Sequence, residues 1–164
     1  MLDSILGSLT AGFRLSNLKF FQPKEVFFAE MEKQFSTRLL YEIGAGVGHV
    51  SAGLSARGFR VLALDLYERD DTEFPVLITN AVTHSYREGS ALLICRPCHS
   101  GFVEATIRRA LIQGVTSFVY VSMARNTSND LGVFRKEFRT VRRFVGEERE
   151  NMYVWNIATP NQSE

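Results

Sequence analysis

The residues best suited to chemistry stand between positions 42 and 65. Glu42-Ile43-Gly44-Ala45-Gly46-Val47-Gly48-His49 follows an apolar run and precedes a helical pattern, so it reads as a strand-to-helix turn. Glycine there permits left-handed backbone and lets a ligand approach the chain closely. Asp65 ends the next apolar run, 17 residues beyond Gly48. A carboxylate at that place can accept hydrogen bonds from both hydroxyls of a ribose, as it does on dinucleotide-binding sheets. A nicotinamide or flavin dinucleotide calls for Gly-x-Gly-x-x-Gly. Counted from Gly44 the sixth position is His49, a bulky residue where helix and strand should approach closely. The glycines alternate instead as Gly-x-Gly-x-Gly, with Glu42 two residues before the first.

Other reactive side chains are scattered. Arg96-Pro97-Cys98-His99-Ser100 follows a later apolar run. His99 has the side-chain chemistry of a general base near neutral pH, and is the candidate catalytic residue; a plain helix start is the competing role. Cys95 and Cys98 have the spacing of a redox pair, but Cys95 closes the run Ala91-Leu92-Leu93-Ile94-Cys95 and suits a small core hydrophobe. No second Cys/His pair has zinc-like spacing, so no metal site is expected. Late in the chain Arg125, Arg135, Lys136, Arg139, Arg142, Arg143 and Arg149 mix with Asp130, Glu137, Glu147, Glu148, Phe134, Phe138 and Phe144. Such a segment could hold an anion such as RNA, or be a solvated hairpin face.

The elements that must position these groups follow from periodicity. Leu2, Ile5, Leu6, Leu9 and Phe13 share one face of an expected first helix, and a second runs from about Pro23 to Phe35. The aromatic-rich N-terminal part, with Phe20, Phe21, Phe27 and Phe28, could cover the ligand or form a dimer contact. Strands are expected at Leu39 to Ile43, Arg60 to Leu64, Pro75 to Thr79, Ala91 to Cys95 and Ser117 to Val121, with helices at about Val47 to Arg57 and Gly101 to Gln113. Arg125 to Gly132 reads as a polar loop, and Phe138 to Val145 with Met152 to Ala158 as a closing antiparallel hairpin. Alternating strand and helix implies an α/β sandwich around a mainly parallel sheet.

The loop Glu42 to Gly48 resembles the S-adenosylmethionine motif of class I methyltransferases, and 39–158 can be laid on that family's plan of seven strands ending in a reversed hairpin. The resemblance implies a three-layer α/β sandwich, here preceded by two N-terminal helices. It implies S-adenosylmethionine as cofactor, held by Glu42, Gly44, Ala45, Gly46, Gly48, His49, Asp65, Leu66, Asn80, Ala81, Arg96 and Pro97. Asp65 matches the ribose-binding acid, and Asn80-Ala81 the place where an Asp-Ala pair often borders the adenine. Asn80 could equally be a turn residue. The chain departs from the plan where about ten residues separate the second from the third strand and the third from the fourth, so helices there shrink to single turns. It departs again after the fourth strand. Nucleic-acid amino methyltransferases carry Asp or Asn, Pro-Pro and an aromatic there; of Arg96, Pro97, Cys98 and His99 only the proline matches. A small-molecule acceptor is therefore favoured over nucleic acid. A non-catalytic cofactor-binding protein or partner subunit, and a nicotinamide-binding protein, are the alternatives.

Composition sets the outer limits. The chain has 164 residues, 45% apolar and 23% charged, with a net charge of +1. That suits one soluble domain with its own core, divided into a helical cover (1–38) and a sheet core (39–158). No apolar run is long enough for a membrane span. The N-terminus lacks a basic region and carries Asp3, a poor secretory signal. A cytoplasmic protein is expected, with a homodimer or partner chain as one way to complete a site in so short a sequence.

Overall fold

The computed structural model describes residues 20–98 and 100–157. The expected first helix, with Leu2 to Phe13, and His99 lie outside the described residues. Helix α1 is Glu25–Phe35, followed by strand β1 (Leu39–Ile43), helix α2 (His49–Ala56), β2 (Arg60–Asp65), β3 (Val76–Ile78) and β4 (Ala91–Cys95). Helix α3 (Ser100–Ile112), β5 (Ser117–Ser122), a short helix α4 (Thr127–Leu131), β6 (Arg139–Arg142) and β7 (Asn151–Asn156) complete the order. The strands form one sheet in the order β3-β2-β1-β4-β5-β7-β6. Five of them run parallel, and β7 pairs antiparallel with both β5 and β6. The expected seven-stranded sandwich with its reversed hairpin is therefore present.

Alternation along the strands supplies two cores. Leu40, Ala91, Leu93, Val119, Val121, Met152 and Val154 face α1 and α2, where they meet Phe27, Phe28, Met31, Phe35, Val50 and Leu54. Tyr41, Ile43, Leu92, Ile94, Phe118, Tyr120 and Tyr153 face the other way, against Val103, Ile107 and Ala110 of α3. Because β1, β4 and β5 are covered on both sides, they read as mainly apolar runs, broken in β1 by Glu42. The two covering helices on the first face pack closely because α2 carries Gly53. A methyl group there would stand 2.8 Å from Phe28 Cζ. Arg57 lies over the same ring, 3.6 Å from its centre, and pairs with Glu25 at 2.9 Å.

Three elements differ from expectation. Arg125 to Gly132 is not a loop: a 3₁₀ turn at Ala124–Asn126 leads into α4. Thr127 Oγ1 donates to Ala124 O at 2.9 Å, Leu131 is fully buried, and the Tyr120 hydroxyl donates to Asp130. The polar letters suggested solvent, whereas a local hydrogen bond at Thr127 and one from Tyr120 to Asp130 let both side chains go inside. The Phe138–Val145 strand is shortened to Arg139–Arg142, because the register shifts between Thr140 and Arg142 and Phe144 turns left-handed (φ 56°). The second N-terminal helix starts at Glu25, two residues after Pro23, which forms an isolated bridge with Gly146.

No helix among the described residues joins β2 to β3 or β3 to β4, as the short spacings implied. One result is that Leu62 and Leu77, on the face that α3 covers elsewhere, are 45% and 52% exposed.

Candidate functional site at the carboxyl rim of the sheet

The glycine loop follows β1 and is fastened from three sides. Ala45 N–H donates to Leu64 O at 2.9 Å, Gly48 N–H to Ala45 O at 2.9 Å, and Glu73 N–H to Val47 O at 2.7 Å. Gly44, Gly46 and Gly48 have φ of 67°, 58° and 78°, all left-handed. At Gly48 a side chain is excluded twice over, since a Cβ would stand 2.9 Å from Phe74 Cβ and 3.2 Å from Phe74 O. Gly48 also precedes the first residue of α2, so its conformation aims the helix N-terminus at the rim.

Asp65 closes β2 beside this loop. Its Oδ2 accepts from Gly46 N–H at 2.8 Å and its Oδ1 from Tyr67 N–H at 3.0 Å. The carboxylate thus shapes the loop and remains partly exposed at the rim. Leu66 beyond it is 54% exposed. Ile78, in register with Asp65 on β3, is 46% exposed and stands beside it. The sequence pattern does not single out Ile78, because a lone isoleucine in a short apolar run carries no site signal; register alone brings it here.

Glu42 is placed differently. It is buried, and its Oε2 accepts from the backbone N–H of Ser51 at 3.1 Å and from the Ser51 hydroxyl. Burial raises its pKa to about 7, against the opposing pull of those hydrogen bonds and with a small push from Asp65. The side chain therefore stands behind the loop, joining β1 to α2. Asn80 forms an Asx turn after β3: its Oδ1 accepts from Val82 N–H at 3.0 Å and its backbone oxygen from Thr83 N–H at 3.1 Å. Ala81 is half-buried, and its carbonyl accepts from the Tyr86 hydroxyl at 2.6 Å.

Beyond β4, Arg96 adopts a left-handed φ of 43° and donates its N–H to Val121 O at 2.8 Å. Arg96 and Pro97 are half-buried and Cys98 is exposed. Both cysteines are free thiols, and burial pushes the Cys95 thiol well up, assisted by Glu42 and Glu150. Among the described residues no group of three or more His, Cys, Asp or Glu is arranged to hold a metal.

A strap over the loop is the feature sequence patterns hint at least. The N-terminal phenylalanines divide: Phe21, Phe27 and Phe28 enter the core, while the Phe20 ring lies on Gly46. A Cβ at Gly46 would stand 2.6 Å from Phe20 Cε1. His49 Nε2 donates to Phe21 O, and its ring meets Phe20 edge-on at 6.2 Å. The strap is tied to the β6–β7 turn by Lys24 N–H to Val145 O at 2.8 Å and Glu147 N–H to Gln22 O at 3.1 Å. Glu150, fully buried in that turn, has its Oε1 bonded by Glu148 N–H at 2.9 Å.

No protein-family model matches the sequence, and no curated protein sequence matches it. Solved structures do match in shape. A 23S rRNA methyltransferase, ErmE, superposes with a TM-score of 0.58 at 14% identity over 85% of this chain and 70% of that one. The Burkholderia thailandensis 1,6-didemethyltoxoflavin-N1-methyltransferase, solved with 1,6-didemethyltoxoflavin and S-adenosylhomocysteine, gives 0.58 at 12% identity over 82% and 78%. Magnesium protoporphyrin IX methyltransferase from Synechocystis, solved with S-adenosylmethionine, gives 0.56 at 9% identity over 81% and 76%. The chain has the fold of class I methyltransferases.

Proposed function

We propose that the protein binds S-adenosylmethionine at the carboxyl rim of β1 and β2 and transfers its methyl group to an acceptor beyond β4. One observation carries the reading: a loop of three left-handed glycines is tied through the Gly46 N–H to the Asp65 carboxylate at the end of the neighbouring strand, within this fold. The residues fit such a ligand. Gly44, Ala45, Gly46, Gly48 and His49 form a loop whose glycines leave its surface free of Cβ atoms. Asp65 keeps lone pairs for the ribose hydroxyls. Leu66 and Ile78 offer apolar walls for the adenine, with Asn80 and Ala81 at its border. Glu42 acts from behind, by holding α2 and the loop in register. Arg96 and Pro97 lie between the cofactor and the acceptor.

When bound, S-adenosylmethionine supplies an electrophilic methyl group on a sulfonium. The protein's part is to align an acceptor and exclude water, which by itself accounts for large rate effects in displacement reactions. Phe20 supplies an apolar roof over Gly46. His99 takes the proton from a hydroxyl or thiol acceptor. A small molecule is the acceptor class that the loop from Arg96 to Ser100 favours, since the loop lacks the residues of base N-methylation.

Calorimetric titration with S-adenosylmethionine and S-adenosylhomocysteine tests the reading. Binding that is lost in Asp65→Ala supports it; no heat from either ligand at millimolar concentration sinks it. A second reading, a cofactor-binding protein without catalysis, is favoured by the Phe20 ring lying directly on Gly46. It gains if the cofactor binds but no labelled methyl group reaches any acceptor in a broad screen of metabolites, RNA and protein. Enhanced NADH fluorescence on mixing would point instead to a nicotinamide site.

A further inference from the structure

The sheet ends at β6, and this edge gathers several exposed arginines. The ion pairs among the described residues are Arg57–Glu25, Arg69–Asp71 and Arg108–Glu104. Arg139, Arg142, Arg143 and Arg149 are exposed and take part in none of them. Between residues 125 and 149, seven Arg or Lys stand against four Asp or Glu, in a chain whose whole balance is +1. One of those four acids, Asp130, is buried under the Tyr120 hydroxyl and does not offset the surface charge.

Arginine on an edge strand has a plain structural use, since charge there discourages edge-to-edge pairing with another sheet. That accounts for Arg139 and Arg142, but not for Phe144. The phenylalanine lies beyond the strand, 54% exposed, in a left-handed conformation (φ 56°) that bulky residues seldom adopt. Its N–H is held by Asn151 Oδ1 at 3.2 Å, which fixes the backbone that presents the ring. Beside it, Thr140, Val141, Arg142 and Arg143 line an open depression of about 510 Å³. Unpaired guanidinium groups beside a presented aromatic ring are the two parts of a surface for single-stranded nucleic acid: cations for the phosphates and a face for a base.

The position also matters. β6 is antiparallel to β7, and β7 to β5, so β6 runs in the direction of β1 and β4. Arg142, Arg143 and Phe144 therefore reach the same rim as the glycine loop. β6 lies four strand spacings from β1, roughly 19 Å. The turn after β6 is the one tied to the strap over Gly46, through Val145 and Glu147.

We propose that the β6 edge and the rim beyond it bind single-stranded nucleic acid, with Arg139, Arg142, Arg143 and Arg149 on phosphates and the Phe144 ring stacked on a base. The proposal goes beyond the reading above, since it concerns a second binding surface on the same rim and not the methyl acceptor, and it is tested separately from that reading. The probe is a fluorescein-labelled 12-nucleotide polyuridine RNA, followed by anisotropy from low to physiological salt. Arg142→Ala with Arg143→Ala weakens binding and lowers the slope of log K against log salt by about 1.4, at about 0.7 for each single-strand phosphate no longer neutralised. Phe144→Ala weakens binding roughly tenfold, in the range of one base–aromatic stack, and Phe144→Trp restores it. Lys33→Ala with Arg87→Ala, exposed cations elsewhere, leaves both unchanged. Equal binding of a 12-base-pair duplex or of polyphosphate overturns the proposal, as does an unchanged salt slope in the double arginine variant. Thermal melts check that each variant is folded. Calorimetry with S-adenosylmethionine on the same protein separates the two ideas: cofactor binding without RNA binding removes this proposal alone, and RNA binding without cofactor binding removes the methyl-transfer reading alone.

Discussion

Glu42 and Asp65 flank the glycine loop, and burial sets them apart. Asp65 reaches the rim and accepts from Gly46 and Tyr67, whereas Glu42 is enclosed with Ser51 and has its pKa raised to about 7. A carboxyl group whose folded pKa exceeds its unfolded one stabilises the fold fully below its unfolded value. That contribution is lost as pH rises through about 7. The expected loss between pH 4.5 and pH 8 is about 3 kcal/mol. Glu42→Gln keeps an acceptor for Ser51 and removes the ionisation, so urea unfolding of that variant should show a much flatter stability over the same pH interval. Gly48→Ala tests the other half of the loop. Its left-handed φ and the 2.9 Å approach to Phe74 Cβ should together cost at least about 1–2 kcal/mol, seen as a lower melting temperature.

Among the elements, α4 shows best how a short helix is held. The Tyr120 hydroxyl on β5 donates to Asp130, and burial raises the Asp130 pKa while that bond opposes the rise. Tyr120→Phe removes the donor and should cost about 1–3 kcal/mol. The loss should shrink as the pH falls through the raised pKa of Asp130, because the ionised carboxylate is the form that needs the donor; denaturant titrations from neutral into acid pH measure it. This helix was also the least legible element in the sequence. Its letters, Thr-Ser-Asn-Asp, favour turns, and the burial of Leu131 and the bond from the distant Tyr120 convert them. The strands were legible because β1, β4 and β5 are buried on both faces and read as mainly apolar runs, each with a glycine near one end. The candidate site was legible where backbone demands glycine, at Gly44, Gly46 and Gly48, and at Asp65. Ile78 and the Phe20 strap were not, since register and tertiary contact bring them to the loop.

At the scale of the whole molecule, the strap connects the β6 edge of the sheet to the glycine loop after β1. Its anchor is Gly146, where a methyl group would collide with Glu150 Oε2 and stand 2.5 Å from Phe21 Cε2. Gly146→Ala should loosen residues 20–24, and trypsin should then cut faster after Lys24, which in the native fold is bonded to Val145. The opposite side of the sheet is built otherwise. β3 has three residues, and no crossover helix among the described residues covers Leu62 or Leu77. With less cover, β2 and β3, the side that carries Asp65 and Ile78, should be more compliant than β1, β4 and β5. A ligand gripping both the glycine loop and Asp65 would couple the stiff half to the compliant one and damp it. Amide exchange from Leu64 to Ile78 should slow on binding, while β4 and β5, already rigid, barely respond.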